Sequence, residues 1–219
     1  MTGRILLTAC ALTTFLTSGC LQKDTTGTWY INPSGEVTWV VVEEDVRSDA
    51  NTLADRQVEE SQYWLAVQQA RHPVAAGLQE LGGAKLKTIV LRDEAPYSVR
   101  TEARFSGLDE LGRRMIAAIN VMGTSILTRD ADTWDWTMTV RDPSSPMSVS
   151  EPSDNVNAVM IDMDTLRVVL VAGRFEYAEG FELSSDRRVA TLQTKDQPAH
   201  AEPEEPTVKL RLVWKTPQS

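Results

Sequence analysis

The segment from Tyr97 to Phe105 shows the clearest alternation of side-chain types in the chain. Its odd-numbered positions carry apolar or small side chains, whereas its even-numbered positions are Ser98, Arg100, Glu102 and Arg104. Successive side chains of a strand point to opposite faces of a sheet, so this pattern predicts one face on a core and one face in water. Strands with one buried face and one solvent-exposed face are typical of antiparallel sheets. The segment therefore requires a fold that contains an antiparallel sheet.

A β-hairpin is predicted near the beginning of the domain. Its arms are Thr28 to Ile31 and Glu36 to Glu43, and the four residues Asn32 to Gly35 between them are typical of a turn. In the second arm Val37, Trp39 and Val41 fall on one face, as period-two alternation requires. Further strands are predicted at 85–92, 125–128, 133–140, 159–162, 166–171, 181–183, 189–192 and 208–214.

Two helical regions interrupt the strands. From 53 to 70, an apolar stripe is predicted from Ala54, Val58, Trp64 and Leu65, and the helix breaks or restarts at Pro73 before it stops at Gly82 and Gly83. A second main helix is predicted from 108 to 121, with Leu108, Leu111, Met115 and Ile119 facing inward.

The order of these elements predicts an α+β fold. We expect a mostly antiparallel sheet with two main helices packed on one face, in a single domain over residues 29–219. Pro, Ser and acidic residues predict long loops at 141–157 and 196–206. Residues 20–28 are polar and Thr-rich after Leu21, and are interpreted as a tether that precedes the domain.

The first twenty residues form a separate unit. Arg4 is followed by a twelve-residue apolar stretch and then by Ser18, Gly19 and Cys20. Twelve helical residues span about 18 Å, which is less than the roughly 30 Å of a bilayer core. The segment resembles a bacterial lipoprotein signal that ends in a lipobox, although Thr17 stands where Leu is usual and Leu16 lies one position earlier.

The lipoprotein resemblance implies that residues 1–19 are removed and that Cys20 is acylated, with palmitate among its acyl chains. Leu21 occupies the position where an Asp favours retention in the inner membrane, so the resemblance favours the outer membrane. It leaves open whether the domain faces the periplasm or the outside. An ordinary secretory signal and a cytosolic protein are the alternatives.

Composition excludes several kinds of chemistry. Cys10 lies in the removed segment and Cys20 carries lipid, so thiol catalysis and Cys-based zinc sites are excluded. His72 and His200 are both expected to be exposed structural residues, because neither has a partner at metal-ligand or triad spacing. The formal net charge of −9 argues against nucleic-acid binding. No nucleotide loop or other cofactor motif is present, so no cofactor and no metal are expected.

Three local patterns are candidates for a site. Asp162 and Asp164 alternate across one residue and could divide acid and base roles in a hydrolase. Trp134 and Trp136 share a strand face and could contact a ligand or partner, but the apolar continuation of that face favours core packing. The acidic run from Asp130 to Asp135 resembles a calcium loop but lacks its Gly and Glu, which favours a hairpin turn.

The order of elements also resembles small envelope lipoproteins of the LppM-like kind. The resemblance is carried by the lipobox, the Asn32-Pro33-Ser34-Gly35 turn, the following helix, and the strand that runs through Phe105-Ser106-Gly107-Leu108-Asp109-Glu110-Leu111 into a helix. It implies an α/β domain on the envelope that binds a lipid or a protein partner, and it implies no particular site residues.

These patterns together predict a non-enzymatic binding or structural module of the cell envelope. The membrane would hold it through Cys20, and an envelope protein, a lipid or a glycan would be its partner. The loop at 141–157 and the face of Trp134 and Trp136 are the candidate contacts. A carboxylate-pair hydrolase and a solute- or sugar-binding lipoprotein are the alternatives.

Overall fold

The computed structural model describes residues 21–119, 121–141, 166–193 and 207–217. The strands within these ranges are β1 (Leu21–Ile31), β2 (Val37–Ser48), β3 (Ala84–Arg92), β4 (Tyr97–Phe105), β5 (Gly123–Asp130), β6 (Thr133–Arg141), β7 (Arg167–Leu170), β8 (Arg174–Glu179), β9 (Phe181–Leu183), β10 (Val189–Leu192) and β11 (Thr207–Lys215). The helices are α1 (Leu53–Gln68), α2 (Pro73–Glu80) and α3 (Leu108–Ala118). The predictions for Cys20, His200, Asp162 and Asp164, the strand at 159–162 and nearly all of both long loops lie outside the described residues.

The strands form two sheets. The large sheet has the order β3-β4-β2-β1-β7-β10-β9, and the small sheet has the order β5-β6-β11-β8. All neighbouring pairs are antiparallel except β1 and β7. The predicted α+β class with mostly antiparallel pairing is confirmed. The expectation of one sheet was wrong, because alternation shows that a strand has a buried face but does not show which strands pair.

Residues 21–28 are not a tether but the first part of β1. Leu21 pairs with Ser48 and Gln22 with Arg47, so β1 and β2 form one long hairpin. The composition was misleading because most side chains in this stretch are exposed or half-buried while the backbone is paired. The hairpin turn at residues 32–35 is confirmed, and the Asn32 carbonyl accepts a hydrogen bond from the Gly35 N–H at 2.9 Å.

The two sheets meet across an aromatic core. The rings of Trp29 and Trp39 in the large sheet lie 5.5 Å apart, edge to face. Trp136 of the small sheet lies 6.2 Å from Trp29. Behind it, Trp134 and Trp214 stack with their centroids 5.9 Å apart. Each buried aromatic side chain removes a large apolar area from water, so this contact is the main source of stability between the sheets.

α1 and α2 pack on the large sheet, whereas α3 packs mainly on β5 of the small sheet. α1 buries Tyr63 and Val67 against β2 and β4, whereas Leu53, Val58 and Leu65 are exposed. The predicted apolar stripe of α1 was therefore wrong at Ala54, Val58 and Leu65, whereas Trp64 is partly buried against this cluster and stacks on Tyr97 with 5.1 Å between the ring centroids.

The predicted restart of the helix at Pro73 and its stop at Gly82 and Gly83 are confirmed. Pro73 is the first residue of α2, where its missing N–H costs nothing. Gly82 adopts a φ of +78°, a conformation that favours glycine. In α3 the predicted inward positions Leu108, Leu111 and Met115 are buried. Within the described ranges, no helix combines the length and the apolar character needed to cross a membrane.

Candidate functional site

A cluster of polar side chains lies on the inner face of the large sheet, beneath α1 and α2. Glu43, His72 and Thr101 are each essentially unexposed. Glu43 continues the inward-facing series of β2 after Trp39 and Val41, and Thr101 lies inward on β4 next to Val41. The cluster separates the main apolar core from a smaller apolar cluster under α1.

The sequence before α2 brings the imidazole into this cluster. His72 is the N-cap residue of α2 in an extended conformation, and Pro73 after it disfavours a helical conformation at this position. The expectation that His72 is exposed was wrong. A residue at a helix break can point inward when the new helix is short and packed on a sheet, and α2 is such a helix.

The contacts within the cluster converge on Glu43 and His72. The His72 Nε2 atom lies 2.9 Å from Thr101 Oγ1 and 3.5 Å from Glu43 Oε2. The other carboxylate oxygen of Glu43 accepts a hydrogen bond from the Lys23 ammonium group of β1. Lys23 is the member that reaches solvent, with 23% of its side chain exposed. The ring of Tyr63 lies 6.3 Å from the imidazole.

Burial determines the protonation states of His72 and Tyr63. It lowers the pKa of His72, an effect that the Glu43 carboxylate opposes and the Lys23 ammonium increases. Burial, followed by the charge of Glu43, raises the pKa of Tyr63 well above its ordinary value. At neutral pH the imidazole is therefore neutral and the phenol protonated. The Glu43–Lys23 ion pair is thus the charged centre of the cluster.

The cluster has residue types that occur in catalytic triads but not their arrangement. A triad needs the acid on one imidazole nitrogen and the nucleophile on the other. Here Thr101 and Glu43 both face Nε2, and no residue in the described part of the chain forms a hydrogen bond with Nδ1. The side chains of Glu43 and His72 are also closed off from solvent. This geometry supports a structural role, with His72 bonded to Thr101 and Glu43 paired with Lys23.

Sequence reasoning did not single out Glu43, Lys23 or Thr101. The signal was available for Glu43, because a charged residue at the next inward position after Trp39 and Val41 must be buried if the strand continues. For Lys23 the incorrect tether assignment hid the strand. For Thr101 the alternation placed the side chain inward, but its partner on α2 depended on the tertiary fold.

Trp134 and Trp136, the predicted ligand or partner contacts, lie in the core, with 8% and 0% of each residue exposed. The Trp136 Nε1–H donates to Ser125 Oγ at 3.0 Å. The guanidinium carbon of Arg129 lies 4.6 Å from the centroid of the Trp134 ring. This placement agrees with the core-packing interpretation that the sequence favoured over a surface platform.

The acidic run from Asp130 to Asp135 forms a hairpin turn, as predicted. β5 ends at Asp130, β6 begins at Thr133, and Ala131 between them has a φ of +52°. Asp135 points to β11, where its carboxylate accepts two hydrogen bonds from Arg211 at 3.0 and 2.6 Å. These bonds lower the pKa of the Asp135 carboxyl. In the described part of the chain, no group of three or more His, Cys, Asp or Glu is placed to hold a metal ion.

An open groove of about 340 Å³ lies where β5 begins and β6 ends, lined by Met122, Gly123, Thr124, Thr139 and Arg141. Among the described residues that line it, Arg141 carries the one ionisable side chain. General acid–base chemistry needs a group that gains and loses a proton near neutral pH, which an arginine does not. The groove was not predicted, since its two strands meet only in the folded sheet.

No protein-family model matches the chain, and no curated protein matches it. Among solved structures, it is similar to the NMR structure of the folded domain of the LppM protein from Mycobacterium tuberculosis. The TM-score is 0.39 and the identity is 13%, with 99% of this chain and 97% of that chain covered. At this TM-score the likeness carries no argument about family or function.

Proposed function

We propose that this protein is a non-enzymatic cell-envelope lipoprotein, held in the membrane by an acylated Cys20 and serving as a binding or structural module. Its partner would be an envelope protein, a lipid or a glycan, and Leu21 favours the outer membrane. One observation carries the proposal: the apolar stretch that follows Arg4 ends in Ser18, Gly19 and Cys20, the pattern of a lipobox. Leu21, the residue that follows this cysteine, is paired with Ser48 of β2, so a paired strand lies next to the proposed site of acylation.

The arrangement of polar residues supports a non-enzymatic role. The buried cluster of Glu43, His72 and Thr101 holds the His of the described chain in a closed site with both neighbours on one nitrogen. The pair Trp134 and Trp136 is used in packing. These side chains are thus enclosed within the fold.

Metabolic labelling with a palmitate analogue tests the anchor. In a Gram-negative host, we expect the wild-type protein to carry the label and to fractionate with the outer membrane. Cys20→Ser should abolish the label, because the thiol is the acylation site. Cys10→Ser is the matched control and should keep the label, since Cys10 lies in the segment to be removed. A label that persists in Cys20→Ser would contradict the proposal.

A further inference from the structure

We infer that the end of the large sheet at which β1 begins, with the exposed side chains of Leu21 and Leu53, lies directly against the bilayer that holds the lipid anchor. This inference rests on the proposed acylation of Cys20. It adds an orientation: one defined end of the domain faces the membrane, and the small sheet faces away from it.

The first step is that no further residues separate the acylated Cys20 from the paired part of β1. Leu21 is already paired with Ser48, and Gln22 with Arg47. Consecutive Cα atoms are about 3.8 Å apart, so the acylated residue is within one residue of a paired strand. A flexible tether of several residues would let the domain move away from the bilayer and turn. With no such tether, the beginning of β1 stays at the membrane surface.

The second step is the apolar character of this end. Leu21 is 36% exposed and Leu53, the first residue of α1, is 71% exposed. The segment that joins β2 to α1 is held beside the beginning of β1, because Gln22 Nε2 donates to Asp49 Oδ2 at 3.4 Å. The Ala50 N–H also donates to Ser48 Oγ at 3.0 Å. Leucine side chains beside an acyl anchor gain by entering the lipid interface.

The third step concerns the charge around these leucines. The exposed residues Glu44, Asp45 and Asp49 are acidic, with Arg47 among them, and Arg92 of β3 lies 3.7 Å from Asp45. Anionic lipids repel a surface with this excess of negative charge. The contact therefore depends on the anchor and on apolar side chains, and it should be closer on zwitterionic than on anionic lipid.

The opposite position in the fold supplies a matched control. Ile126 of β5 is also an exposed aliphatic residue, with 56% of its surface accessible. It pairs with Thr137, next to Trp136, and Trp136 contacts Trp29 of β1. Trp29 is eight residues along β1 from Leu21, which corresponds to about 27 Å at the rise of a strand.

Fluorescence quenching in vesicles tests the orientation. Full-length Leu53→Cys and Ile126→Cys chains would be expressed in bacteria, purified as acylated proteins, labelled at the new thiol and reconstituted in phosphatidylcholine vesicles that contain a doxyl-labelled lipid. Acylation occupies the Cys20 thiol, so the label has one target. Circular dichroism would verify that both variants are folded.

We expect quenching of the label on Leu53→Cys to exceed that on Ile126→Cys by about threefold or more, as for side chains at the lipid interface. Added phosphatidylglycerol should reduce the quenching on Leu53→Cys. Equal quenching at both positions in mass-verified acylated protein would overturn the orientation and leave the lipoprotein proposal intact. A mass that shows no acyl group would overturn both. Stronger quenching with phosphatidylglycerol would overturn the argument from charge.

Discussion

The inner face of the large sheet is covered in two different ways. Toward the hairpin turn it meets the small sheet, and the contact is filled by indole rings such as Trp29, Trp39 and Trp136. Toward the beginning of β1 it meets α1 and α2, and the same face there encloses Glu43 and His72. One strand, β2, contributes Trp39 to the first region and Glu43 to the second.

The two regions differ in whether the elements packed on the sheet can supply partners for a buried polar side chain. Two sheets that pack face to face leave side chains little freedom, and a polar group without a partner there costs free energy. Helices approach the sheet with loops and caps at their ends, and these bring polar groups of their own. His72 is such a cap residue, and Lys23 at the margin reaches solvent. Among the described residues, the buried carboxylate, Glu43, lies in this helical region.

The largest effect is expected in the aromatic region. Trp136→Ala removes a fully buried indole and its hydrogen bond to Ser125, and should lower the free energy of unfolding by about 3–5 kcal/mol. Urea denaturation followed by circular dichroism measures this loss. Ile126→Ala on the exposed face of the adjacent strand is the control and should change stability by no more than about 0.5 kcal/mol. Similar losses for the two variants would contradict the assignment of Trp136 to the core.

A smaller effect is expected in the helical region. Glu43→Ala leaves the Lys23 ammonium without its partner, but Lys23 can regain water because it is partly exposed. We therefore expect a loss of about 2–3 kcal/mol, below the range for a fully buried pair. The neighbouring exposed carboxylate in Glu44→Ala serves as the control and should be nearly neutral in the same denaturation experiment. If both variants are neutral, the cluster does not stabilise the fold.

The smallest effect concerns pH. The pKa of His72 is lowered in the folded state by burial, whereas in the unfolded chain it lies near 6.5. Below that pH the unfolded state binds a proton that the folded state does not, so stability falls as the pH falls. Between pH 7.5 and 5.5 the loss from this one group should be at most about 1.4 kcal/mol, the limit that is reached if His72 stays neutral in the folded state throughout this range.

Denaturation of the wild type and of His72→Gln at both pH values measures this contribution. The glutamine amide can still bond Thr101 but does not titrate, so the loss between the two pH values should shrink. The other histidine, His200, is present in both chains and cancels in the comparison. An identical pH dependence in the variant would assign the effect to other groups.

Much of the fold followed from local patterns. The alternation of β4 gave its bounds at Tyr97 and Phe105, and the glycines at 82 and 83 marked the end of α2. These features depend on backbone conformation and on periodicity, which neighbouring residues set. The beginning of β1 and the buried face of α1 were mispredicted, because both depend on partners distant in sequence.

In the candidate site too, features set by neighbouring residues could be predicted, and contacts between distant elements could not. The burial of Trp134 and Trp136 could be inferred from the apolar series on one strand face. The meeting of His72 with Thr101, 29 positions later, could not. Contacts of this kind arise when separate elements pack, and no local pattern specifies the distance between two side chains on different elements.

By itself the sequence determined the α+β class with mostly antiparallel pairing, and it led to the proposed membrane address through Cys20. Each of these depends on short stretches of consecutive residues. Only the tertiary structure decided that the strands divide into two sheets, that Glu43 and His72 are enclosed together, and that residues 21–28 are paired with β2. These depend on hydrogen bonds and packing between distant segments, whose free energy exists only after the chain has folded.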